Sequence, residues 1–315
     1  MVFTVLADIC ITSRPFLSST GTHHKPSICT GARCQFSKHW QDESWHEVLR
    51  LITGMIDSSF AGQIIDYLMV LDGETGKFIN LLLAAECLSE VRNRFEIAET
   101  ATKLLNYLKH ISLGRYKGLN GGIYYRIISV IATIWKEDIE TLPWLKACTQ
   151  FTENWLVRRT AIYCLAEGWK DDPDTLPIIK TCVQSDDFWA VRCTVVQILA
   201  EGWKDELDTL PFLKSCALSD DNGYVRGKAM QELARGWKDE PWLFDFLCDG
   251  ALNDPFERKE DSENNPRQLA LEIIIKQYPD NPQNLPLLHD RAENDPDEKV
   301  REFAREKLEQ IEKQN

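Results

Sequence analysis

Three groups of residues in this chain have the types that metal, phosphate or nucleophile chemistry requires. His23, His24, Cys29 and Cys34 bring imidazoles and thiols close together in sequence, and four such ligands can close a tetrahedral zinc site. Their spacing matches no recurring ligand pattern and no second cysteine pair follows, so no metal is expected and the segment reads as an unstructured tail. Gly73-Glu74-Thr75-Gly76-Lys77-Phe78 approaches a phosphate loop, but it lacks the upstream Gly and ends in Phe where a Mg²⁺-binding hydroxyl is needed. Helical patterns flank it, Ile64 to Leu71 and Phe78 to Leu88, so it reads as an inter-helix turn. His46 and Glu47 are adjacent and fall on different sides of a helix, and His110 and His289 stand away from any cysteine or carboxylate constellation. Cys148, Cys182 and Cys216 recur once per structural unit, and Cys164 and Cys193 sit in apolar helical patterns. A thiol repeated in this way is a small core residue. No catalytic, cofactor-binding or metal-ligating residue is assigned, and the chain is not expected to be an enzyme.

The elements that position these residues follow from length and charge. The 315 residues are 43% apolar and 27% charged, with 36 Lys+Arg against 49 Asp+Glu and a net charge of −13. That balance disfavours nucleic acid or an anionic membrane surface as a partner. The strongly apolar stretches, around Phe78 to Ala85 and Ile123 to Trp135, fall short of the about 20 residues a bilayer span requires. Ten scattered cysteines without a Cys-x-x-Cys pair indicate reduced thiols and a cytoplasmic protein.

Residues 1–38 are unlike the rest. They hold one acid, Asp8, against Arg14, Lys25, Arg33 and Lys38, a net of +3 that leaves −16 for residues 39–315. No helical or strand period is sustained there, and Pro15, Gly21, Pro26 and Gly31 break each apolar run. A secretory signal is disfavoured by the missing basic start and by Asp8. A transit peptide fits the Ser-rich, acid-poor composition but has too little Arg. The third reading is a poorly structured or aberrant start to a truncated chain.

The strongest signal is a repeat. Trp135, Trp169, Trp203 and Trp237 are 34 residues apart, as are Pro143, Pro177 and Pro211, and Arg158, Arg192 and Arg226. A fourth unit carries seven extra residues around Glu257 to Asn265 (ERKEDSENN), after which Arg301 follows Arg267 at the same 34. Each unit predicts two helices, about Leu176 to Gln184 and about Phe188 to Glu201 in the clearest case, the second capped by Asp187. Gly168, Gly202 and Gly236 fall at the second helix's end, where a left-handed C′ glycine is expected, with the following Trp stapled back on the last turn. The Arg of each unit is expected to bridge a carboxylate of its own or the next repeat and hold the stack in register. Trp155, Trp189 and Tyr224 precede the Val-Arg pairs closely and serve either as inter-repeat packing or as a partner surface. The insert predicts a solvated loop, idle or adding specificity.

This pattern resembles HEAT repeats, in which an Asp and a Val-Arg pair mark the turn and second helix. The resemblance covers about residues 118–310 and implies an all-α fold: a right-handed α-solenoid of HEAT-like (armadillo-type) helix pairs with a 34-residue period, preceded by an α-helical segment. His39-Trp40-Gln-Asp-Glu-Ser-Trp45-His46-Glu47-Val48-Leu49-Arg50-Leu51 and the Gly-Trp-Lys-Asp motifs at 168–171 and 202–205 resemble the arm that follows the ATPase in bacterial, cyanobacterial-type NACHT signal-transduction NTPases. The division implied is a leader at 1–38, a helical linker at 39–117 and the solenoid at 118–315. The function implied is a non-catalytic scaffold or sensor arm that binds a protein or the NTPase part of a larger signalling protein, with no membrane and no nucleic acid. HEAT-like repeats also occur in lyases that attach bilins to phycobiliproteins, which is the alternative.

Overall fold

The computed structural model describes residues 35–71, 73, 78–113 and 121–313. Among them every regular element is helical. The chain divides into two compact units, Met1–Cys164 and Leu165–Asn315. The four-residue zinc candidate and nearly all of the expected leader lie outside the described residues, as do residues 74–77 of the phosphate-loop candidate.

In the first unit, a helical turn at residues 35–39 seats the fully buried Phe36 in a core shared with α1 (His46–Met55), α2 (Ser58–Met69), α3 (Ile79–Glu90), α4 (Ala98–Ser112) and α5 (Gly121–Ile134). α3 is buried almost all round, Asn80 to Ala85 continuously, because α1, α2, α4 and α5 all pack on it. Its Asn80 amide donates to the carbonyls of Leu68 (2.9 Å) and Leu71 (3.0 Å) and ties α3 to the end of α2. A Cβ at Gly73 would lie 1.6 Å from Asn80 Oδ1, so this turn needs glycine. The segment from His39 to Leu51 builds core: Trp40, His46 and Leu49 are buried, and His46 Nε2 pairs with the Trp40 carbonyl at 2.9 Å. α6 (Thr141–Phe151) follows, and α7 (Trp155–Gly168) begins in this unit.

In the second unit, helices alternate as pairs: α8 (Thr175–Ser185) with α9 (Trp189–Gly202), α10 (Thr209–Ser219) with α11 (Gly223–Gly236), α12 (Leu243–Asn253) with α13 (Pro266–Gln277), and α14 (Asn284–Asn294) with α15 (Glu298–Glu312). The first helix of a pair leans on its own partner. Second helices also pack on one another, α9 on α11 and α11 on α13. α9 therefore buries Val191, Val195, Val196, Ile198, Leu199 and Ala200, a wider face than the Thr175, Ile179, Cys182 and Val183 stripe of α8. Each buried aliphatic contributes about 1.5–3 kcal/mol, and no pair could bury this face without its neighbours. This is an α-solenoid of HEAT-like repeats.

Two local expectations require correction. Gly168, Gly202 and Gly236 are the last residues of their helices and none has a left-handed φ. The helix stops instead at Trp203 (φ −132°, ψ 36°) and Trp237 (φ −126°, ψ 35°), which still donate N–H to Leu199 (3.0 Å) and Leu233 (2.9 Å). Ordinary negative φ suffices because the next turn closes at once: the Trp203 carbonyl accepts from Glu206 N–H and that of Glu206 from Thr209 N–H, one tight turn leading into the next helix. Asp187 does not cap α9. The carboxylate of Asp186, one residue earlier, accepts the Phe188 N–H at 2.9 Å.

Candidate partner-binding site

The repeated arginines form a chain of nodes inside the second unit. Arg226 Nη1 donates to the carbonyl of Asp220 in its own turn (2.8 Å), while Nε and Nη2 grip both oxygens of Asp254 in the next repeat, each at 2.7 Å. Arg192 does the same with Asp186 and Asp220, and Arg267 with Asp254 and Asp295. Each receiving Asp also caps its turn: Asp220 accepts from Asn222 N–H, Asp254 from Phe256 N–H and Asp295 from Asp297 N–H. One carboxylate thus ends one interface and starts the next turn. The paired aspartates raise the pKa of Arg192 and Arg226 still further above the ordinary guanidinium value. Arg158, in the first unit, donates to the carbonyls of Thr152 (2.9 Å) and Glu153 (3.1 Å), and Arg301 to that of Asp295. These guanidiniums are committed to backbone and neighbouring carboxylates within the fold.

The corner tryptophans are likewise committed to the fold. Trp135 and Trp203 are buried, and Trp169 and Trp237 half-buried. Lys170 Nζ lies over the Trp203 ring at 5.6 Å and Lys204 Nζ over the Trp237 ring at 5.4 Å, so at these two corners the lysine after one Trp covers the next Trp. This gives the Trp-Lys pairing a structural reason. Cysteine chemistry is suppressed by the same core: burial pushes the Cys87, Cys148 and Cys216 thiols up to about 12, far from the thiolate a nucleophile needs.

The remaining candidates behave differently. Trp155 is half-buried at the start of α7. Trp189, at the start of α9, keeps 38% of its surface exposed and stacks on Tyr224, at the start of α11, with ring centres 4.7 Å apart and planes 23° apart. The structure brings Trp189 and Tyr224 together as a two-ring shelf across neighbouring repeats.

Beside this shelf is a cavity of about 610 Å³ lined by α9, α11, α13 and the insert, a volume typical of ligand pockets. Residues that the sequence reading passed over make it. The position of Trp155 and Trp189 is held in the next unit by Gly223, and that of Cys193 by Gly227. Both glycines line the cavity. A Cβ on Gly223 would meet Phe256 Cδ2 at 2.6 Å, so the third unit gives up its ring and the chain ahead of the insert moves in close. The signal was present in the repeat register: the aligned column reads Trp, Trp, Gly.

The insert is pinned over the opening. Arg258 Nε pairs with Asp297 (2.8 Å), Asn265 Nδ2 donates to the same carboxylate (3.0 Å), and Lys299 Nζ donates to the Asp261 carbonyl (2.6 Å). Glu263 accepts the N–H groups of Lys259 (2.6 Å) and Glu260 (3.0 Å), and the Glu260 and Lys259 donors hold its carboxyl below the usual range. Burial works to raise the Asp297 carboxyl, but the Asn265 and Arg258 donors prevail and lower it. The insert is a solvated loop as expected, with Glu257, Lys259, Glu260, Asp261, Ser262 and Asn264 exposed, and these contacts tie it to the start of α15.

With the helix pairs, the arginine nodes and the corners in place, the comparison with known families becomes specific. The family model for HEAT repeats matches residues 141–234, from α6 to α11. The matched stretch is similar to a run of HEAT repeats. No curated protein matches the chain. Within the matched HEAT repeats lie Trp189, Tyr224, Gly223 and Gly227, whereas the insert that closes their cavity lies beyond the match. Among the described residues no group of three or more His, Cys, Asp or Glu gathers to hold a metal, and no helix is long and apolar enough to cross a membrane.

Proposed function

We propose that the chain is a non-catalytic HEAT-repeat scaffold that binds a protein partner, the binding or sensor arm of a NACHT-type signalling NTPase whose nucleotide chemistry is done elsewhere. The observation that carries this reading is the exposed Trp189–Tyr224 shelf beside a walled cavity. Stacked, half-exposed aromatics on a rigid scaffold are what binding hot spots are made of, and HEAT repeats commonly mediate protein interactions. The arginine nodes and corner tryptophans support the same reading, because they fix the backbone while leaving surface side chains free to be specialised. The His39 to Leu51 segment and the Gly-Trp-Lys-Asp corners support the link to NACHT proteins, and the core thiols, held as thiols, fit a reducing cytoplasm.

The test has two arms. Immobilised full chain is used to capture a protein from the cells that express it, and a saturable partner competed by free chain is expected. Purified chain is also assayed for Mg-ATP binding and for covalent bilin transfer to a phycobiliprotein subunit. Nucleotide binding would contradict the scaffold reading, and bilin transfer would establish a lyase in its place.

A further inference from the structure

The α14–α15 pair treats both the arginine node and the stacking face differently from the pairs before it. Arg192, Arg226 and Arg267 each reach across to the aspartate 28 residues ahead, in the next repeat, and their side chains are 9%, 5% and 3% exposed. Arg301 stands at the same place in its unit and keeps the bond to its own turn, the Asp295 carbonyl, but turns Nη2 onto Glu298, three residues earlier on the same helix. Its side chain is 24% exposed and that of Glu298 is 56% exposed. This node is closed within α15, in solvent, by a carboxylate from the helix's own first turn.

The side of a second helix that carries the node arginine is the side that meets the next repeat, and the positions four and eight residues on share it. In α9 these are Val196 and Ala200, in α11 Met230 and Ala234, and in α13 Leu271 and Ile275. Five of the six are buried and Ile275 is half-buried. Two contacts fix the direction: a Cβ on Gly250 of α12 would lie 2.8 Å from Met230 Sδ, and Gln277 of α13 donates to the Ala234 carbonyl at 3.0 Å. α15 carries Arg305 and Glu309 at these two places, and both are exposed. Each has a partner close by in sequence, Arg305 with Glu298 (3.4 Å) and Glu309 with Lys313 (3.4 Å). A helix pair stacked here would strip water from four charged side chains, Glu298, Arg301, Arg305 and Glu309, without gaining the apolar contacts that join α9 to α11. A polar outer face of this kind is what keeps the end of a repeat stack in solution.

We infer that α14–α15 is a built cap: its outer face, polar and ion-paired with itself, refuses both a further helix pair and a second copy of this chain. This holds whichever partner the scaffold binds. R305L/E309I gives α15 the two residues of α13. Sedimentation velocity is run on the full chain and on this variant over a concentration series, with amide exchange of α14 and α15 read at both ends of the series. Both positions are exposed, so the variant is expected to melt as the parent does. It is expected to self-associate about tenfold or more tightly than the parent, with α15 protected in the associated form, because two copies of one apolar patch can meet face to face. Association no stronger than the parent's would overturn the proposal, and so would a parent whose own α15 becomes protected as concentration rises. R301A is the second variant and needs no association. Glu298 already lies in water, so deleting the guanidinium strands no buried charge, and exchange in α15 should rise about tenfold or less, against about a hundredfold or more around Arg226 in R226A. A rise in R301A as large as that in R226A would make Arg301 an interior node and overturn the cap.

Discussion

Removing the guanidinium of Arg226 tests whether the repeats are held in register by the arginine nodes. The side chains of Arg226 and Asp254 are 5% and 3% exposed, and the pair is joined by two bonds of 2.7 Å. R226A deletes both, orphans the Asp220 carbonyl that now accepts at 2.8 Å, and leaves a carboxylate buried without a cation. Breaking such a buried pair costs about 3–5 kcal/mol, most of it the stranded charge. D254A removes the charge but also the cap on Phe256 N–H, worth about 1 kcal/mol. The double variant R226A/D254A should therefore be less damaged than the sum of the two singles, with about 2 kcal/mol or more of coupling. K103A is the control: Lys103 pairs with Glu99 at 2.7 Å, but both side chains are exposed, and such pairs contribute about 0–1 kcal/mol. Because a repeat stack need not unfold in one step, the readout is amide hydrogen exchange resolved by element. R226A should raise exchange in α10, α11 and α12 by about a hundredfold or more, since about 1.4 kcal/mol is tenfold, and spare α1 to α4. If R226A behaved like K103A, the nodes would be ordinary solvated ion pairs that do not hold the repeats in register.

Four further outcomes follow from the same geometry. G202A should leave the melting temperature unchanged or raise it, by up to about 1 kcal/mol of helix propensity, because a Cβ there meets nothing within 4 Å; G223A should lower it, since its Cβ would strike the Phe256 ring. Thr175 and Thr209 are fully buried with hydroxyls that find no partner, so T209V should be neutral or stabilising by about 1 kcal/mol in urea unfolding. W203A should cost about 3–5 kcal/mol, whereas K170A, which removes only the cation over that ring, should cost about 0.5–1 kcal/mol by the same assay. Asp297 has a lowered carboxyl pKa in the fold, so its contribution is complete above the ordinary value of about 3.9 and is lost as the pH falls through the folded value. Pepsin cleavage within residues 257–265 should therefore rise steeply below about pH 4, and D297N should be cleaved readily even above it.

What could be read in advance and what could not differ by the distance over which each residue acts. The helix pairs were legible because a 34-residue period constrains many positions at once: Val191, Val195, Ile198 and Leu199 are buried together, and the expected spans agree with Thr175–Ser185 and Trp189–Gly202 to within two residues. The chemistry at helix ends was less legible. Glycine after a helix suggests a left-handed cap, but Gly202 remains helical, because the turn that Trp203 begins hands its carbonyl to Glu206 and needs no positive φ. The receiving partner of each arginine lies 28 residues ahead, in the next unit, so composition near Val-Arg pointed to the right residue type without fixing which carboxylate is gripped. The cavity was least legible, since its walls combine the starts of helices from different repeats with an insert more than thirty residues after Gly223, against which Phe256 packs. In a repeat protein the conforming positions report the fold and the deviating ones report what the fold is used for. Gly223, Gly227 and the insert deviate together beside the stacked Trp189 and Tyr224 rings, and that coincidence in space, unavailable to either deviation alone, is the reason the proposed binding surface is put at the third and fourth units.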